Sequence, residues 1–421
     1  MEERFTRLRG FIDIYGDDLY FFEFLENTFR KYAEVYGFVE IKTPILEKTD
    51  LFVRGIGEGS DIVRKEMFSF EDRGGRNVTM RPEGTASVVR AFLENNLVND
   101  PKYYKLFYSG PMFRAERPQA GRLRQFHQLG VEWFGSDNPI VDFETISMLW
   151  DIIVELGIHS NVDLIINSVG CDKCIPNYKE NLKVFFDSNY DKFCDDCKDR
   201  RNRNILRVFD CKNHSCQRTL GDAPKVLDYL CDDCRYHFDT LQNLLSKKRI
   251  PFVVEDSLVR GLDYYTRNVF EVRYRGIGSQ NAIAGGGRYN KLVKEFGGPD
   301  IPAFGFAMGV ERTILAIKDK VKPINKVSVG VCNVSDNELD YAIKVANYLR
   351  GKGIITHLFS YVGNFGKQMK MANRFGVNFV VILGEDEVRK NVISVKNMET
   401  GEQKQINLEE VLLLIAEVRH G

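Results

Sequence analysis

Residues 113–134 read FRAERPQAGRLRQFHQLGVEWF and form the most informative segment of the chain. Both ends of the segment alternate apolar and polar residues as β-strands do, and they flank a polar, basic loop. Arg114 leaves the first strand, Glu116 follows it, and Phe126 lies in the returning strand. A guanidinium suits phosphate oxygens, a carboxylate accepts from an exocyclic amine, and an aromatic ring stacks on a base, so the three together would hold a nucleotide. The alternative is a surface hairpin with a solvated basic tip.

Helix-like and strand-like segments continue on both sides of this hairpin. Apolar residues recur at three- and four-residue spacing over Asp18–Val35, which predicts an amphipathic helix, and another helix-like stretch begins at Val141. Further runs alternate apolar and polar residues, namely FVEIKTPIL, EMFSFED, NVTMRP, NVFEVRY, QNAIAGGGRY and FGFAMGVERTIL. Such alternation indicates an antiparallel sheet with one covered face. The predicted fold class of this part is therefore α+β.

The end of the chain has a different pattern. After KPINK (322–326), the segments KVSVGVCNV, ITHLF and FVVILG alternate with helix candidates, one of them at residues 337–350. This alternation of strand and helix predicts a small α/β domain at the C-terminus. A chain of 421 residues is too long for one ordinary core. We therefore expect an α+β core, an insert within it, and a terminal α/β domain.

Charge and hydropathy limit the kinds of partner. Lys+Arg and Asp+Glu both number 59, so the formal net charge is zero, which disfavours non-specific DNA coating. Local basic patches remain, since residues 114–124 hold four arginines and a single acid. No stretch approaches the roughly 18 to 20 apolar residues of a membrane span, and the N-terminus MEERFTRLRG lacks the apolar core of a signal peptide. We expect a cytoplasmic protein that binds neither membrane nor DNA.

Eight of the nine cysteines lie between residues 171 and 234. Without a secretion signal, thiols or metal ligands are expected here rather than disulfides. Two CxxC pairs suffice for a tetrahedral zinc site, so the segment predicts one or two structural zinc ions; reduced, partly buried thiols in a compact insert are the alternative. The candidate ligands are Cys171, Cys174, Cys194, Cys197, Cys211, Cys216, Cys231 and Cys234.

Three segments resemble, in the right order, the motifs of class II aminoacyl-tRNA synthetases. YGFVEIKTPILE (36–47) resembles motif 1, the helix-to-strand element used for dimerisation. FRAE, followed by Arg122 and Glu132, resembles motif 2, and GFAMGVERTIL (305–315) resembles motif 3. Each motif is degenerate by itself, and the three together are specific.

Three more segments resemble histidyl-tRNA synthetases in particular. LVRGLDYYTRNVFEV (258–272) and AGGGRY (284–289) resemble the two histidine-specific signatures, and MRPEGTAS (80–87) resembles the substrate loop of that family. Asn290 departs from the aspartate that usually follows the second signature. Together with the cysteine-rich insert, which is typical of one bacterial subgroup, the resemblance covers nearly the whole chain.

The resemblance implies a histidine–tRNA ligase that works as a homodimer across the motif 1 face. Such an enzyme makes histidyl-adenylate and pyrophosphate from L-histidine and ATP, and then transfers histidine to the 3′ end of tRNA(His). ATP would arrive with Mg²⁺, because its phosphates need neutralising. The implied domains are a catalytic core in two parts (1–168 and 241–322), a cysteine-rich insertion domain (169–240) and an anticodon-binding domain (326–421).

The resemblance also implies roles for individual residues. Arg114 and Arg260 would be catalytic, because they would grip the α-phosphate while the histidine carboxylate attacks it. The implied histidine-binding residues are Glu83, Gly84, Thr85, Arg114, Gln128, Glu132, Arg260, Tyr264 and Tyr265. The implied ATP-binding residues are Arg114, Glu116, Arg122, Phe126 and Arg312. Gln119 and Arg124 in the motif 2 loop are the candidates for contact with the tRNA acceptor end.

The competing function is that of a regulatory paralogue. The regulatory subunit of ATP phosphoribosyltransferase shares the synthetase core, senses histidine and charges no tRNA. Such proteins generally lack the terminal domain and lose part of the histidine-specific run. This chain has Arg260, Arg312 and a C-terminal α/β domain, which favours the ligase.

Overall fold

The structure, a computed structural model, describes residues 5–278, 281–323, 326–361 and 364–419. The chain divides into two units, Met1–Pro323 and Ile324–Gly421. The first four residues of MEERFTRLRG, Gln280 of QNAIAGGGRY, and residues 324–325 of KPINK lie outside the described residues. Within the described ranges, no helix is both long enough and apolar enough to cross a membrane.

The first unit is built of helices and strands. Its helices are α1 (Asp17–Val35), α2 (Thr49–Ile56), α3 (Thr85–Glu94), α4 (Pro139–Glu155), α5 (Ile175–Ser188), α6 (Asp195–Arg203), α7 (His214–Leu220), α8 (Asp232–Lys247), α9 (Leu292–Glu295) and α10 (Val310–Ile317). Its strands are β1 (Val39–Glu40), β2 (Leu46–Lys48), β3 (Phe68–Glu71), β4 (Asn77–Met80), β5 (Lys105–Phe113), β6 (Gln125–Phe134), β7 (Val162–Ser168), β8 (Val253–Val254), β9 (Thr266–Tyr274), β10 (Ala282–Arg288) and β11 (Ala303–Gly309).

An eight-stranded sheet forms the centre of this unit, in the order β1-β5-β6-β11-β10-β9-β7-β8. Its neighbouring strands are antiparallel except for the edge pairs β1–β5 and β7–β8, which are parallel. Helices α1, α4, α8 and α10 cover one face, where Phe29, Leu129, Ile152, Phe238 and Phe306 belong to one buried cluster. The predicted α+β class, with an antiparallel sheet covered on one face, is confirmed.

The run FVEIKTPIL is not one strand, contrary to the expectation from its alternation. Only Val39–Glu40 joins the large sheet, by parallel pairing with β5, and the chain then turns into β2. Pro44 lies between the two short strands, and proline cannot donate a ladder hydrogen bond. Strand β2 pairs instead with β4, which also pairs with β3, so EMFSFED and NVTMRP belong to a separate three-stranded sheet.

The cysteine-rich segment lies between β7 and β9 and has a small core of its own. Tyr178, Leu182, Phe186 and Val208 are buried in this core together with three of the cysteines. The segment belongs to the same unit as the eight-stranded sheet. Some side chains of the segment line a cavity beside the eight-stranded sheet.

The second unit is an α/β structure, as its sequence pattern predicts. Its elements are β12 (Ser328–Asn333), α11 (Leu339–Gly351), β13 (Ile355–Leu358), α12 (Phe365–Phe375), β14 (Phe379–Leu383), α13 (Glu385–Lys390), β15 (Ile393–Asn397), β16 (Gln403–Ile406) and α14 (Val411–Arg419). The sheet order is β13-β12-β14-β15-β16. The first three strands are parallel, and β15 and β16 are added antiparallel.

Candidate active site

A cavity of about 550 Å³ opens beside the eight-stranded sheet, and we call it the cleft. Its walls come from β6, β9, β10, β11, the start of α3 and part of the cysteine-rich insert. Segments that are far apart in the sequence therefore meet at one place. The sequence-predicted residues that line it are Glu83, Thr85, Arg114, Glu116, Arg122, Phe126, Gln128, Arg260, Tyr264, Tyr265 and Arg312.

Strand β6 orients one row of these residues. Because successive side chains of a strand point to opposite faces, Phe126 and Gln128 line the cleft, whereas Leu129 and Val131 lie in the buried core on the other side. Gln128 Oε1 is buried and makes no hydrogen bond within the described residues. A buried acceptor without a partner costs about 1–3 kcal/mol, so this atom marks a position where a ligand donor fits.

Glu132 follows Gly130 in this row, behind the lining, and is 1% exposed. Its Oε1 accepts a hydrogen bond of 2.7 Å from Thr85 Oγ1, and its Oε2 accepts one from the hydroxyl of Tyr289. Burial raises the pKa of Glu132 to about 8, although both hydrogen bonds act to lower it. A carboxyl group with such a pKa changes its protonation state near neutral pH, which is common at functional sites.

Glu83 and Gly84 hold the start of α3. The Glu83 carboxylate accepts hydrogen bonds from the backbone N–H groups of Thr85 at 2.7 Å and Ala86 at 2.9 Å, so it caps the helix. Burial raises the pKa of Glu83. A Cβ on Gly84 would overlap the ring of Tyr108, so glycine is required there by packing.

Arg260 lies against the sheet at the floor of the cleft. Its Nη1 pairs with Glu271 of β9, and its buried Nε has no hydrogen-bond partner within the described ranges. A Cβ on Gly285 would lie 2.5 Å from Arg260 Nη2. Only glycine at this position of β10 leaves room for the guanidinium.

Arg114 follows the last residue of β5, and neighbouring groups fix its guanidinium. Its Nε donates a hydrogen bond of 2.9 Å to the carbonyl of Pro82, and its Cζ lies 5.1 Å from the ring centroid of Phe126. The guanidinium is thereby fixed between the substrate loop and an aromatic face, with donors left for a ligand.

Two further arginines lie near the motif 2 loop. Arg122 forms an ion pair with Glu116. Arg312 Nε donates to the carbonyl of Gly121 at 2.9 Å, and its Nη1 donates to the carbonyl of Ala282 at 2.9 Å. Arg312 thus connects the tip of the motif 2 loop with β10.

Gln119 and Arg124, the acceptor-end candidates, do not line the cleft. Gln119 is exposed, and its backbone pairs with that of Arg122 at 3.0 and 2.9 Å. Arg124 Nε donates to the carbonyl of Glu116 at 3.1 Å, and its backbone N–H donates to the carbonyl of Gly10 at 2.8 Å.

Two site residues carried no assigned role in the sequence analysis. Tyr289 bonds to Glu132, and Glu271 pairs with Arg260. Both lie inside the recognised signatures, which marks them as candidates, but the sequence does not indicate which residues they contact. Asn290, which replaces the usual aspartate, donates a hydrogen bond of 2.8 Å to Asp137.

The insert also contributes to the cleft, which the sequence did not indicate. Asp210 and Lys212 line it. Arg207, also in the lining, pairs with Asp263 of the first histidine signature at 2.6 Å. These residues are separated by 56 positions, so only the folded chain brings them together.

The eight insert cysteines form two separate groups. We call Cys171, Cys174, Cys231 and Cys234 the outer quartet, and Cys194, Cys197, Cys211 and Cys216 the inner quartet. In each quartet the four Sγ atoms lie within 4.8 Å of one another. All eight are free cysteines, and none of them lines the cleft.

The mainly antiparallel sheet, with arginines from motifs 2 and 3 in one cleft, defines the catalytic core of a class II aminoacyl-tRNA synthetase. A family described as histidyl-tRNA synthetase matches residues 10–179 and 196–313, and one described as anticodon binding domain matches residues 327–417. The chain belongs to the histidyl-tRNA synthetase family, a family of aminoacyl-tRNA ligases.

Relatives and solved structures agree with this assignment. A histidine–tRNA ligase of Halothermothrix orenii is 48% identical over 404 residues, which cover 95% of this chain and 96% of the relative. That of Thermotoga maritima is 44% identical over 418 residues, which cover 98% and 99% of the two chains. The crystal structure of apo Staphylococcus aureus histidyl-tRNA synthetase is 34% identical, with a TM-score of 0.81, and the match covers 98% of this chain and 100% of that one. The family predicted from the motifs is confirmed.

Proposed function

We propose that the cleft binds histidine and ATP side by side, forms histidyl-adenylate, and passes histidine to tRNA(His), which is the reaction of a histidine–tRNA ligase. The observation that carries the proposal is the position of Arg114 and Arg260. Both guanidinium groups line one cleft, next to the hydrogen-bonded group of Thr85, Glu132 and Tyr289.

The histidine side is the part of the cleft next to Glu132. The two nitrogens of a neutral imidazole offer one donor and one acceptor, which Glu132 and the rings of Tyr264 and Tyr265 would meet. A buried polar pocket of this kind rejects amino acids that leave its groups unpaired. The α-ammonium would be bound by the remaining polar groups at the start of α3 and on β6, namely Glu83, Gly84, Thr85 and Gln128.

The ATP side is formed by the motif 2 hairpin and Arg312. Glu116 would accept a hydrogen bond from the exocyclic amine of adenine, and Phe126 would stack on the adenine ring. Arg122 and Arg312 would bind the outer phosphates. In the free protein Arg122 pairs with Glu116, so both side chains would exchange this contact for the nucleotide.

The first step needs orientation and charge stabilisation rather than a general base. The histidine carboxylate is already ionised at neutral pH and attacks the α-phosphorus in line, a C–O–P bond forms, and pyrophosphate leaves. Arg114 and Arg260 would stabilise the charge that spreads over the α-phosphate oxygens. The pairing with Glu271 holds Arg260 in one orientation before the substrate binds.

Mg²⁺ bound with ATP would neutralise phosphate charge. Glu66 lines the cleft and would offer an oxygen ligand of the kind that Mg²⁺ prefers, whereas both carboxylate oxygens of Glu271 are paired with Arg260 and Arg273. The insert cysteines lie outside the cleft lining, so any zinc that they hold is structural.

Recognition of tRNA would involve both units. Residues 327–417 match an anticodon-binding domain, which would read unstacked bases by edge contacts and stacking. Gln119 and Arg124 would contact the acceptor end. This assignment divides the chain into a core in two parts (1–168 and 241–322), the insertion domain (169–240) and the anticodon-binding domain (326–421).

The active form would be a cytoplasmic homodimer. Ile45 and Leu46 of motif 1 are 41% and 47% exposed, and Phe70 on the same three-stranded sheet is 49% exposed. Apolar side chains grouped in this way favour a protein interface, and sedimentation of the full chain would measure the mass of the particle.

Transfer of labelled histidine to tRNA(His) in the presence of ATP tests the proposal. We expect labelled tRNA only when ATP and the intact tRNA(His) are both present, and a tRNA with a different anticodon and acceptor end is the matched control. A folded chain that binds histidine but labels no tRNA would overturn the proposal and indicate a histidine-sensing regulator.

A further inference from the structure

We infer that each cysteine quartet holds one zinc ion, so that the chain carries two structural tetrahedral sites with the ligands Cys171–Cys174–Cys231–Cys234 and Cys194–Cys197–Cys211–Cys216. The spacing of the cysteines in the sequence leaves open how many ions are bound and which cysteine pairs share an ion. In the fold, the first and last cysteine pairs of the insert meet in the outer quartet. The two pairs between them along the chain meet in the inner quartet.

The distances between sulfur atoms fit one tetrahedral ion in each quartet. A Zn–S bond of about 2.3 Å corresponds to a tetrahedron edge of about 3.8 Å. Cys171 Sγ lies 3.6 Å from Cys174 Sγ and 3.8 Å from Cys231 Sγ, and Cys194 Sγ lies 3.7 Å from Cys211 Sγ. These distances are far longer than the roughly 2.05 Å of a disulfide. Four thiolates in tetrahedral array are a ligand set typical of zinc.

The two quartets also share a sequence and a backbone geometry. Each contains Cys-Asp-Asp-Cys, at 194–197 and 231–234. The first cysteine of each is the N-cap of a helix, with φ −71° and ψ 164° in one case and φ −69° and ψ 164° in the other. Two separate segments thus present their sulfur atoms in the same way.

Backbone N–H groups donate to the sulfur atoms across each quartet. The N–H of Cys194 donates to Cys216 Sγ at 3.3 Å, and that of Cys231 donates to Cys174 Sγ at 3.2 Å. Hydrogen bonds of this kind orient a ligand atom and are typical of the surroundings of metal-binding side chains. Apolar packing of thiols does not require them.

A metal crosslink would stabilise the insert. Its buried cluster combines Cys197, Cys211 and Cys216 with large apolar side chains such as Phe186 and Phe193, and the cores of small domains are commonly completed by a metal ion. The outer quartet joins the two ends of the insert, since Cys171 follows β7 and Cys231 precedes α8.

The inner quartet lies next to the residues that reach the cleft. Cys211 is between Asp210 and Lys212, which both line the cleft. Arg207 pairs with Asp263 of the histidine signature. The inner ion would therefore hold this edge of the insert against the catalytic core, while the outer ion would hold its base.

Metal analysis of the purified full chain tests the inference. We expect two zinc ions per wild-type chain, one in Cys171→Ser/Cys174→Ser, one in Cys194→Ser/Cys197→Ser, and two in the control Cys332→Ser, whose cysteine lies in β12 of the other unit. One ion per wild-type chain, iron in place of zinc, or no metal with all eight thiols open to alkylation would overturn it.

A measurement on the wild-type chain covers the case in which a double variant fails to fold. Zinc is removed with a chelator and Co²⁺ is added in steps. The thiolate-to-cobalt absorption reports metal binding, and far-ultraviolet circular dichroism, recorded in parallel, reports folding. The inference requires saturation at two equivalents with a spectrum of tetrahedral thiolate ligation. Saturation at one equivalent, or a spectrum without thiolate bands, contradicts it.

Discussion

Thr85 Oγ1 donates a hydrogen bond of 2.7 Å to Oε1 of Glu132, 47 positions away in the sequence. The other oxygen of the same carboxyl accepts from Tyr289. One buried group therefore connects the substrate loop, β6 and the second histidine signature. In a histidyl-tRNA synthetase, this connection fixes the position of the carboxyl that we assign to the imidazole, because both oxygens already have a defined donor.

Histidine should bind more tightly as the pH rises towards 8. Burial raises the pKa of Glu132 to about 8, so at lower pH the carboxyl is mostly protonated. It must then lose a proton before it accepts the imidazole N–H, which weakens binding. Above its pKa this cost disappears and the affinity levels off. Calorimetric titration with histidine between about pH 7 and about pH 8.5 measures how steeply the affinity changes with pH.

Glu132→Gln is the control for this pH dependence. The amide does not titrate, so the part of the slope that comes from Glu132 should vanish and only the part that comes from titration of histidine itself should remain. Loss of a hydrogen bond to a charged group should also weaken binding by about 1.5–3 kcal/mol. An equal slope in the variant and the wild type would show that another group is responsible.

Tyr289→Phe removes a hydroxyl that stabilises the charged form of Glu132. The pKa of Glu132 should rise further, and the pH at which histidine affinity levels off should rise with it. Tyr104→Phe is the matched control, because its hydroxyl donates to the carbonyl of Val98 at 2.9 Å, away from the cleft. If the pH profile of Tyr289→Phe coincides with the wild-type profile, the assigned contact has no influence on binding.

Gly285→Ala should abolish most activity without unfolding the protein. The added Cβ would lie 2.5 Å from Arg260 Nη2, so the guanidinium must move from its place beside Glu271. We expect pyrophosphate exchange to fall by roughly 100-fold, similar to the loss of one charge-stabilising group. Gly351→Ala, where a Cβ meets nothing within 4 Å, should keep wild-type exchange. Full activity in Gly285→Ala would contradict the role of Arg260.

Phe126→Ala should weaken ATP binding selectively. Base stacking on an aromatic ring contributes about 1–3 kcal/mol, so the KM for ATP should increase by about 5- to 150-fold. The KM for histidine should increase less, because it changes only through the contact of the ring with Arg114. Phe375→Ala, an exposed phenylalanine in the second unit, is the control. Equal increases in both KM values would indicate general damage to the cleft.

The sequence predicts the elements of the site better than the contacts between them. The alternation of β6 is enough to predict that Phe126, Gln128 and Glu132 share one face, since this depends only on strand geometry. The ion pair of Arg260 and Glu271 could not be predicted, because it depends on how the loop before β9 folds back on that strand.

The insert gives a second example of this limit. Eight cysteines at CxxC-like spacing indicate metal ligands, but their division into quartets depends on the path of the chain between them. The contact of Arg207 with Asp263 joins two segments whose local patterns give no sign of each other. Short-range periodicity contains no information about such contacts, which arise only when the insert packs on the core.

Histidine-dependent exchange of labelled pyrophosphate into ATP, with the wild type and Arg260→Ala compared, measures both the formation of histidyl-adenylate and the contribution of Arg260 to it. We predict exchange with histidine and with no other standard amino acid, reduced by roughly 10²- to 10³-fold in the variant, with the same circular dichroism spectrum for both proteins. A folded wild type that binds histidine without exchange, or a variant that exchanges at the wild-type rate, would contradict the account.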